Sequence, residues 1–216
     1  QPDQFQYSKY FGRQKRAEPG GLIVQNLITH IDKNEVLRYL GHKGHKIPQK
    51  LDRQIDQCIN RTMKLISPKY FYQKFSIKRT AEGILVNGTE LVLTGRDIAK
   101  LLQNSNEIYI ICATIGLEIE KEIRKRMLTN PDEGVMFDSC ATTAIEQLTD
   151  RAECEIAREC EERDLFITWR YSPGYGDLPI ETQGPLLAAM DAHRKIGLAV
   201  NDSFSMTPGK SVTAII

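Results

Sequence analysis

Ile84-Leu85-Val86-Asn87-Gly88-Thr89-Glu90-Leu91-Val92-Leu93 is the stretch on which the fold class turns. Two short apolar runs joined through a tight Asn87-Gly88 turn are a β-hairpin signature, because asparagine and glycine tolerate the positive φ that such turns require. Immediately upstream, Tyr70, Tyr72 and Lys74 alternate with Phe71, Gln73 and Phe75, a period of two that extends the strand reading back to Tyr70. Before this region the period is that of a helix. Asn34 can cap a short helix ending near Leu40, with Gly41 as its left-handed stop, and Pro48 suits the first turn of a longer helix to Ile66. Leu51, Ile55, Ile59 and Met63 recur every fourth residue on one face of it, and Ser67-Pro68 ends it.

Downstream, Thr94 or Asp97 starts a brief helix to Leu102, and Ile108 to Ala113 is an apolar strand leading to Thr114-Ile115-Gly116. Helices follow over Leu117–Leu128 and, opened by Pro131 and Asp132, over the longest periodic stretch to Arg163. Phe166 to Arg170 reads as a strand, Gln183 to Ile196 as one helix closed by Gly197, and Ser211 to Ile216 as a final strand. Helices, antiparallel strands, helices, then strands separated by a helix make an α+β chain, not a regular βαβ succession. Residues 1–21, rich in Gln and basic side chains and broken at Ala17-Glu18-Pro19-Gly20-Gly21, read as a polar arm ahead of a single domain over 22–216.

Composition narrows the function. The chain has 216 residues, 41% hydrophobic and 26% charged, with 29 basic against 28 acidic side chains. A length of this order supports one substantial core. The near-neutral balance, with a pI of about 7.8, gives no electrostatic footprint for duplex nucleic acid. No apolar run approaches a bilayer span and Gln1 to Arg16 is polar where a secretory signal is greasy, so the expected location is cytoplasmic, away from membranes. Cys58, Cys112, Cys140, Cys154 and Cys160 contain no CxxC pair, which argues for reduced, mostly buried thiols and against a zinc ribbon. His42 and His45 lie in a Gly and Lys-rich turn without a third ligand nearby, so a solvated turn is expected ahead of a metal site. Gly209-Lys210-Ser211 is no phosphate loop, since Phe204 stands where the first glycine belongs and a strand follows.

The chemistry-bearing segment is Arg170-Tyr171-Ser172-Pro173-Gly174-Tyr175-Gly176-Asp177-Leu178-Pro179. A guanidinium ahead of a rigid turn with two glycines suits an anionic group such as a carboxylate, held by the Arg fork and backbone amides. Tyr175 adds an aromatic face suited to a cation. The plain alternative is a Pro/Gly turn joining strand to helix, with Arg170 paired to a surface carboxylate. Cys140, in Asp138-Ser139-Cys140-Ala141-Thr142-Thr143, has no assigned base and reads as a small residue for close helix packing. A Ser/His/Asp set is absent, so no catalytic residue is assigned.

Arg170 to Pro179 resembles the Arg-x-x-x-Gly-Tyr signature of the activation domain of vitamin B12-dependent methionine synthase, in the form of its stand-alone relatives. Ser205-Met206-Thr207-Pro208-Gly209-Lys210-Ser211-Val212-Thr213 is similar to the family's Met-x-Pro-x-x-Ser-Val stretch, and Val36-Leu37-Arg38-Tyr39-Leu40-Gly41 and Ala113-Thr114-Ile115-Gly116 fit it in the same order. The resemblance implies helices packed around a twisted antiparallel sheet. It also implies S-adenosylmethionine as ligand and a role in the reductive methylation of cob(II)alamin to methylcobalamin, with the cofactors carrying the chemistry. Arg170 would then grip the ligand carboxylate, with Ser172, Gly174 and Tyr175 lining the loop. Asp32 is the candidate for an acidic N-terminal contact, its plain alternative being a helix cap. Glu146 or Glu153, on the long helix, would supply the other acidic contact, the plain alternative being a surface carboxylate.

The resemblance further implies that the cobalamin is carried by a partner, since the Asp-x-His-x-x-Gly signature of a histidine-ligated corrinoid is absent here. That partner would be a corrinoid protein or a methionine synthase lacking an activation domain, with a flavodoxin-like or iron–sulfur electron donor, and this chain an accessory subunit of its reactivation. Ala214-Ile215-Ile216 stands where the fused synthase has aromatic ligand contacts, which leaves a docking module without its own S-adenosylmethionine site as the alternative.

Overall fold

The structure, a computed structural model, describes residues 24–25 and 28–216. Its element order is β1 (Val24–Gln25), α1 (Lys33–Tyr39), α2 (Gln49–Leu65), β2 (Lys69–Arg79), β3 (Ile84–Val86), β4 (Val92–Leu93), α3 (Arg96–Leu101) and β5 (Glu107–Thr114). There follow α4 (Glu118–Thr129), α5 (Pro131–Glu161), α6 (Gln183–Met190), α7 (Ala192–Ile196), β6 (Ala199–Val200), β7 (Met206–Thr207) and β8 (Ser211–Ile215). The polar arm expected over 1–21 lies outside the described residues.

The main sheet runs β4-β3-β2-β5-β8, with β1 also paired to β2, and every pairing is antiparallel. β5 is its centre. Tyr109, Ile111 and Ala113 face a core shared with α1, α2, α4 and α5, whereas Ile108, Ile110 and Cys112 face a second core shared with α3, α6, α7 and the β3–β4 hairpin. Successive strand side chains point to opposite faces, so a strand covered by helices on both sides must be apolar throughout. That is why Ile108 to Ala113 is a continuous apolar run. β2 is covered on both faces only near its start and alternates beyond it, with Phe75 and Ile77 buried between exposed Lys74, Ser76 and Lys78. The architecture is the expected α+β one: helices around a twisted antiparallel sheet.

α5 is the spine of the first core. Pro131 occupies its first turn, where a missing N–H costs nothing, and its 31 residues span about 46 Å at 1.5 Å per residue. Gly134, Ser139, Cys140, Ala141, Ala144 and Ala152 on this helix are buried, and their small size brings α2 and α4 close. Phe137 fills the remaining space, fully buried, with the Arg61 and Arg126 guanidinium carbons each 5.9 Å from its ring centroid. Arg126 clasps the α4–α5 corner, donating to Glu122 at 2.7 Å and Glu133 at 2.6 Å. All five cysteines are buried and free. Burial pushes the Cys140 thiol up to about 12, so it is a packing residue and not a thiolate.

Four expectations are corrected by the structure. The cap of α1 is Asp32, the residue immediately before the helix, whose carboxylate accepts from the Asn34 amide at 2.8 Å. The Asn87-Gly88 turn forms, closed by the Thr89 amide on the Val86 carbonyl at 3.2 Å with Gly88 at φ 80°, but the strands pair only from Val86 and Leu91 outward, so the loop of the hairpin is longer than that pair. Residues 166–170 form no strand; only Tyr171 bridges to Ile215. The helix expected over Gln183–Ile196 is two, because Asp191 adopts a left-handed conformation, φ 52° and ψ 39°, and turns the chain between α6 and α7.

Two substitutions test this packing. Phe137→Ala removes the filler between α5 and its neighbours and is expected to cost about 3–5 kcal/mol in chemical denaturation. Gly134→Ala, which in an open helix would stabilise by about 1 kcal/mol, is expected to destabilise by about 1–3 kcal/mol here. Its Cβ would lie 2.8 Å from the Met127 backbone nitrogen, which has no room to yield.

Candidate functional site

Glu146, Asp150 and Glu153 stand at i, i+4 and i+7 of α5, so helical geometry alone lines their carboxylates along one face. Arg170 is brought to that face by the sheet. Tyr171 exchanges both backbone hydrogen bonds with Ile215, each 2.8 Å, adding one residue to the outer edge of β8. The preceding side chain thereby reaches across to the C-terminal half of α5. Its Nε meets Glu153 Oε2 at 3.1 Å, and its Nη2 meets Asp150 Oδ1 at 2.8 Å and Glu146 Oε2 at 3.7 Å.

Two features of this cluster set it apart from an ordinary surface ion pair. One guanidinium against three carboxylates leaves a formal charge of −2. And Nη1 of Arg170 is buried without a hydrogen-bond partner among the described residues. A buried unpaired donor is costly, and a charged one more so, which makes it a place where an acceptor from outside is favoured. Burial pushes the carboxyls of Glu146, Asp150 and Glu153 up; Arg170 pulls each back without cancelling the rise, and the Asp150 charge raises both glutamates further.

α1 closes one side of the cluster. The Arg38 charge draws Glu146 down and the Glu35 charge pushes Asp150 up. Glu35 and Arg38 pair with each other at 2.7 Å, and the Arg38 guanidinium lies 4.3 Å from the centre of the Tyr39 ring. Asp32 sits at the mouth of the same helix. Its backbone N–H donates to Gln147 Oε1 at 3.1 Å, next in sequence to Glu146, while its carboxylate caps α1.

The turn after Arg170 is built by its own backbone. Tyr175 N–H donates to Ser172 at 3.1 Å, Leu178 N–H to Tyr175 at 3.0 Å, and Gly174 N–H to Leu178 at 2.9 Å. Gly174 sits at φ 88°, a conformation that glycine adopts without steric cost. Ser172 donates its hydroxyl to the Thr213 carbonyl at 2.6 Å, fastening the turn to β8. Asp177 reaches the other way and accepts from the Arg96 and Asp97 amides at 2.6 and 3.1 Å, capping α3, and those amides hold its carboxyl below the usual range. Tyr175 is 69% exposed, and Trp169, on the other side of Arg170, is 70% exposed.

The structure thus brings Arg170, Glu146 and Glu153 into one cluster, whereas Ser172 and Gly174 build the turn behind it and Tyr175 projects from that turn. Asp32 is held beside the helix that carries the glutamates. Asp150 went unassigned in the sequence reading, although its spacing of four from Glu146 and three from Glu153 was the signal that could have found it. Lys210, just before β8, is a contrasting cation that reaches α5: it meets Asp138 and Thr142, each at 2.9 Å, and pins that segment. An open depression of about 440 Å³ between the β3–β4 turn and α6, lined by Gly88, Glu90, Leu91 and Pro185 among others, shares no residue with the Arg170 cluster. Among the described residues no group of His, Cys, Asp or Glu side chains is arranged to hold a metal ion, and no helix is long and apolar enough to cross a membrane.

No protein-family model matches the chain, and no curated protein matches it. Among solved structures the chain is similar to the crystal structure of the MetH reactivation domain bound to AdoHcy, with a TM-score of 0.68 and 17% sequence identity, over 91% of this chain and 78% of that one. The chain has the fold of that reactivation domain.

Proposed function

We propose that this chain binds S-adenosylmethionine at the Arg170 cluster and acts in the cytoplasm in the reductive methylation of cobalamin on a separate protein. That partner is a corrinoid protein or a methionine synthase lacking an activation domain, and a flavodoxin-like or iron–sulfur protein supplies the electron. The acting unit spans residues 22–216, with 1–21 as an appended arm. The observation that carries the reading is the orphaned, buried Nη1 of Arg170 within a cluster of net negative charge. The methionine end of the ligand offers the complement of both features: a carboxylate to accept from the guanidinium, and an ammonium and a sulfonium to offset the carboxylates.

S-adenosylmethionine supplies a sulfonium methyl and the partner's reduced corrinoid a strong nucleophile, a pair that needs no acid, base or protein nucleophile. The chain's own residues have the work of binding and orientation. Glu153 and Asp150 fix the plane of the Arg170 fork, since Nε and Nη2 are both engaged and Nη1 alone lacks a partner among the described residues. Ser172 and Gly174 hold the turn from which exposed Tyr175 projects. Exposed Phe166, Trp169 and Tyr175 flank Arg170 in sequence and offer the apolar surface that a docking partner would cover. The likeness to a reactivation domain crystallised with AdoHcy supports the same reading.

Calorimetric titration of S-adenosylmethionine tests it. Saturable binding is expected, with Arg170→Ala weakening it by about 2–4 kcal/mol through loss of a charge-assisted partner. Arg170→Lys is expected to restore little, because a point charge lacks the planar fork. Unchanged affinity in Arg170→Ala would remove Arg170 from the site. Absence of binding both to the chain alone and with a cob(II)alamin-loaded corrinoid protein present would favour the docking-module reading instead.

A further inference from the structure

Three carboxylates are more than Arg170 needs. Glu153 on Nε and Asp150 on Nη2 already orient the fork, at 3.1 and 2.8 Å, and Glu146 at 3.7 Å adds charge without adding a close hydrogen bond. The neighbouring charges on α1 do not offset the excess, because Glu35 and Arg38 neutralise each other. Holding like charges together where burial disfavours them costs stability. The ligand-free protein therefore carries a standing negative potential beside the one guanidinium nitrogen that lacks a partner among the described residues.

We propose that the row Glu146, Asp150 and Glu153, with Asp150 at its centre, selects the positively charged methyl donor over the neutral thioether left after transfer. The inference rests on the S-adenosylmethionine reading of this site. Both molecules carry the same α-carboxylate and α-ammonium, so Arg170 grips them alike. They differ at sulfur: when the methyl passes to the partner's corrinoid nucleophile, the S–C bonding pair stays on sulfur and the sulfonium charge disappears. The donor has a net charge of +1 and the thioether product none. An attraction between that charge and the carboxylate row is thus present before transfer and gone after it, which favours release of the product without any movement of the protein. One unit charge a few ångströms from a half-buried cluster of this sign corresponds to about tenfold in affinity, and salt weakens it.

The test compares three ligands in calorimetry: S-adenosylmethionine, S-adenosylhomocysteine, and sinefungin, whose amine keeps the positive charge without a sulfonium. The unmodified protein is expected to bind S-adenosylmethionine and sinefungin about tenfold more tightly than S-adenosylhomocysteine, with the gap narrowing at high salt. Asp150→Asn is expected to cut the gap to about threefold or less, and Asp150→Glu to keep it, because only the former removes charge. Asp150 is solvent-accessible at the helix surface, so Asp150→Asn is expected to fold, with a melting temperature unchanged or raised by about 1–3 °C at neutral pH as like-charge repulsion is relieved. Equal affinity of the unmodified protein for donor and thioether overturns the proposal, as does an Asp150→Asn variant that weakens all three ligands by one common factor. In either case binding itself, and with it the proposed function, survives. Failure of the unmodified protein to bind any of the three overturns both.

Discussion

The rest of the structure depends on the burial of β5 from both sides. An apolar strand from Ile108 to Ala113 cannot leave either face to water, so two helical layers must close over it, and α5 with its run of small side chains is the element that fits against one of them. β8 lies next to β5 in register, Cys112 opposite Thr213 and Ile110 opposite Ile215. Tyr171 then takes the outer edge at Ile215, and Arg170 is carried to the face of α5 where three carboxylates stand in a row. The position of the guanidinium is therefore a property of the sheet's register, set by contacts far from any ligand.

Lys210 and Arg170 both reach α5 from the segments that flank β8, and comparing them separates architecture from chemistry. Lys210 is satisfied: its ammonium meets Asp138 and Thr142, and its backbone N–H donates to Glu120 at 3.0 Å, so the segment between β7 and β8 is tied to both α4 and α5. Arg170 is over-supplied with carboxylates at two nitrogens and unsatisfied at the third. Both lie in the same fold within the same solvent, yet only one is left with a donor to spare. Charge that folding leaves unbalanced in this way lowers stability, and such imbalance is characteristic of surfaces meant to receive a ligand.

Much of this fold was legible because its signals are local. Pro131 marked the start of α5, the fourfold spacing of Leu51, Ile55, Ile59 and Met63 marked one face of α2, and the apolar run at Ile108 marked a strand. The misread places lacked a local cause. Phe166 to Arg170 has strand composition but no neighbour with which to pair, and pairing is a tertiary fact. The break at Asp191 sits between good helix formers, in a backbone conformation that aspartate tolerates but does not announce. At the site, Arg170 stood out through its turn, and Glu146 and Glu153 through resemblance alone. Asp150 was hidden because a carboxylate on a long charged helix is ordinarily a solvated one, and only the fold shows which of α5's many acids faces the arginine.

Phe166, Trp169 and Tyr175 give the site a further property. Trp169 is the chain's one tryptophan, it directly precedes Arg170, and its indole is largely in water. Its emission reports on this single spot, with no background from other indoles. Water-exposed indole fluoresces toward the red and shifts to the blue when covered, so the protein contains its own optical gauge of whatever covers the chain just ahead of Arg170. A partner seated on this exposed stretch would register on it as the loss of the solvent around the ring.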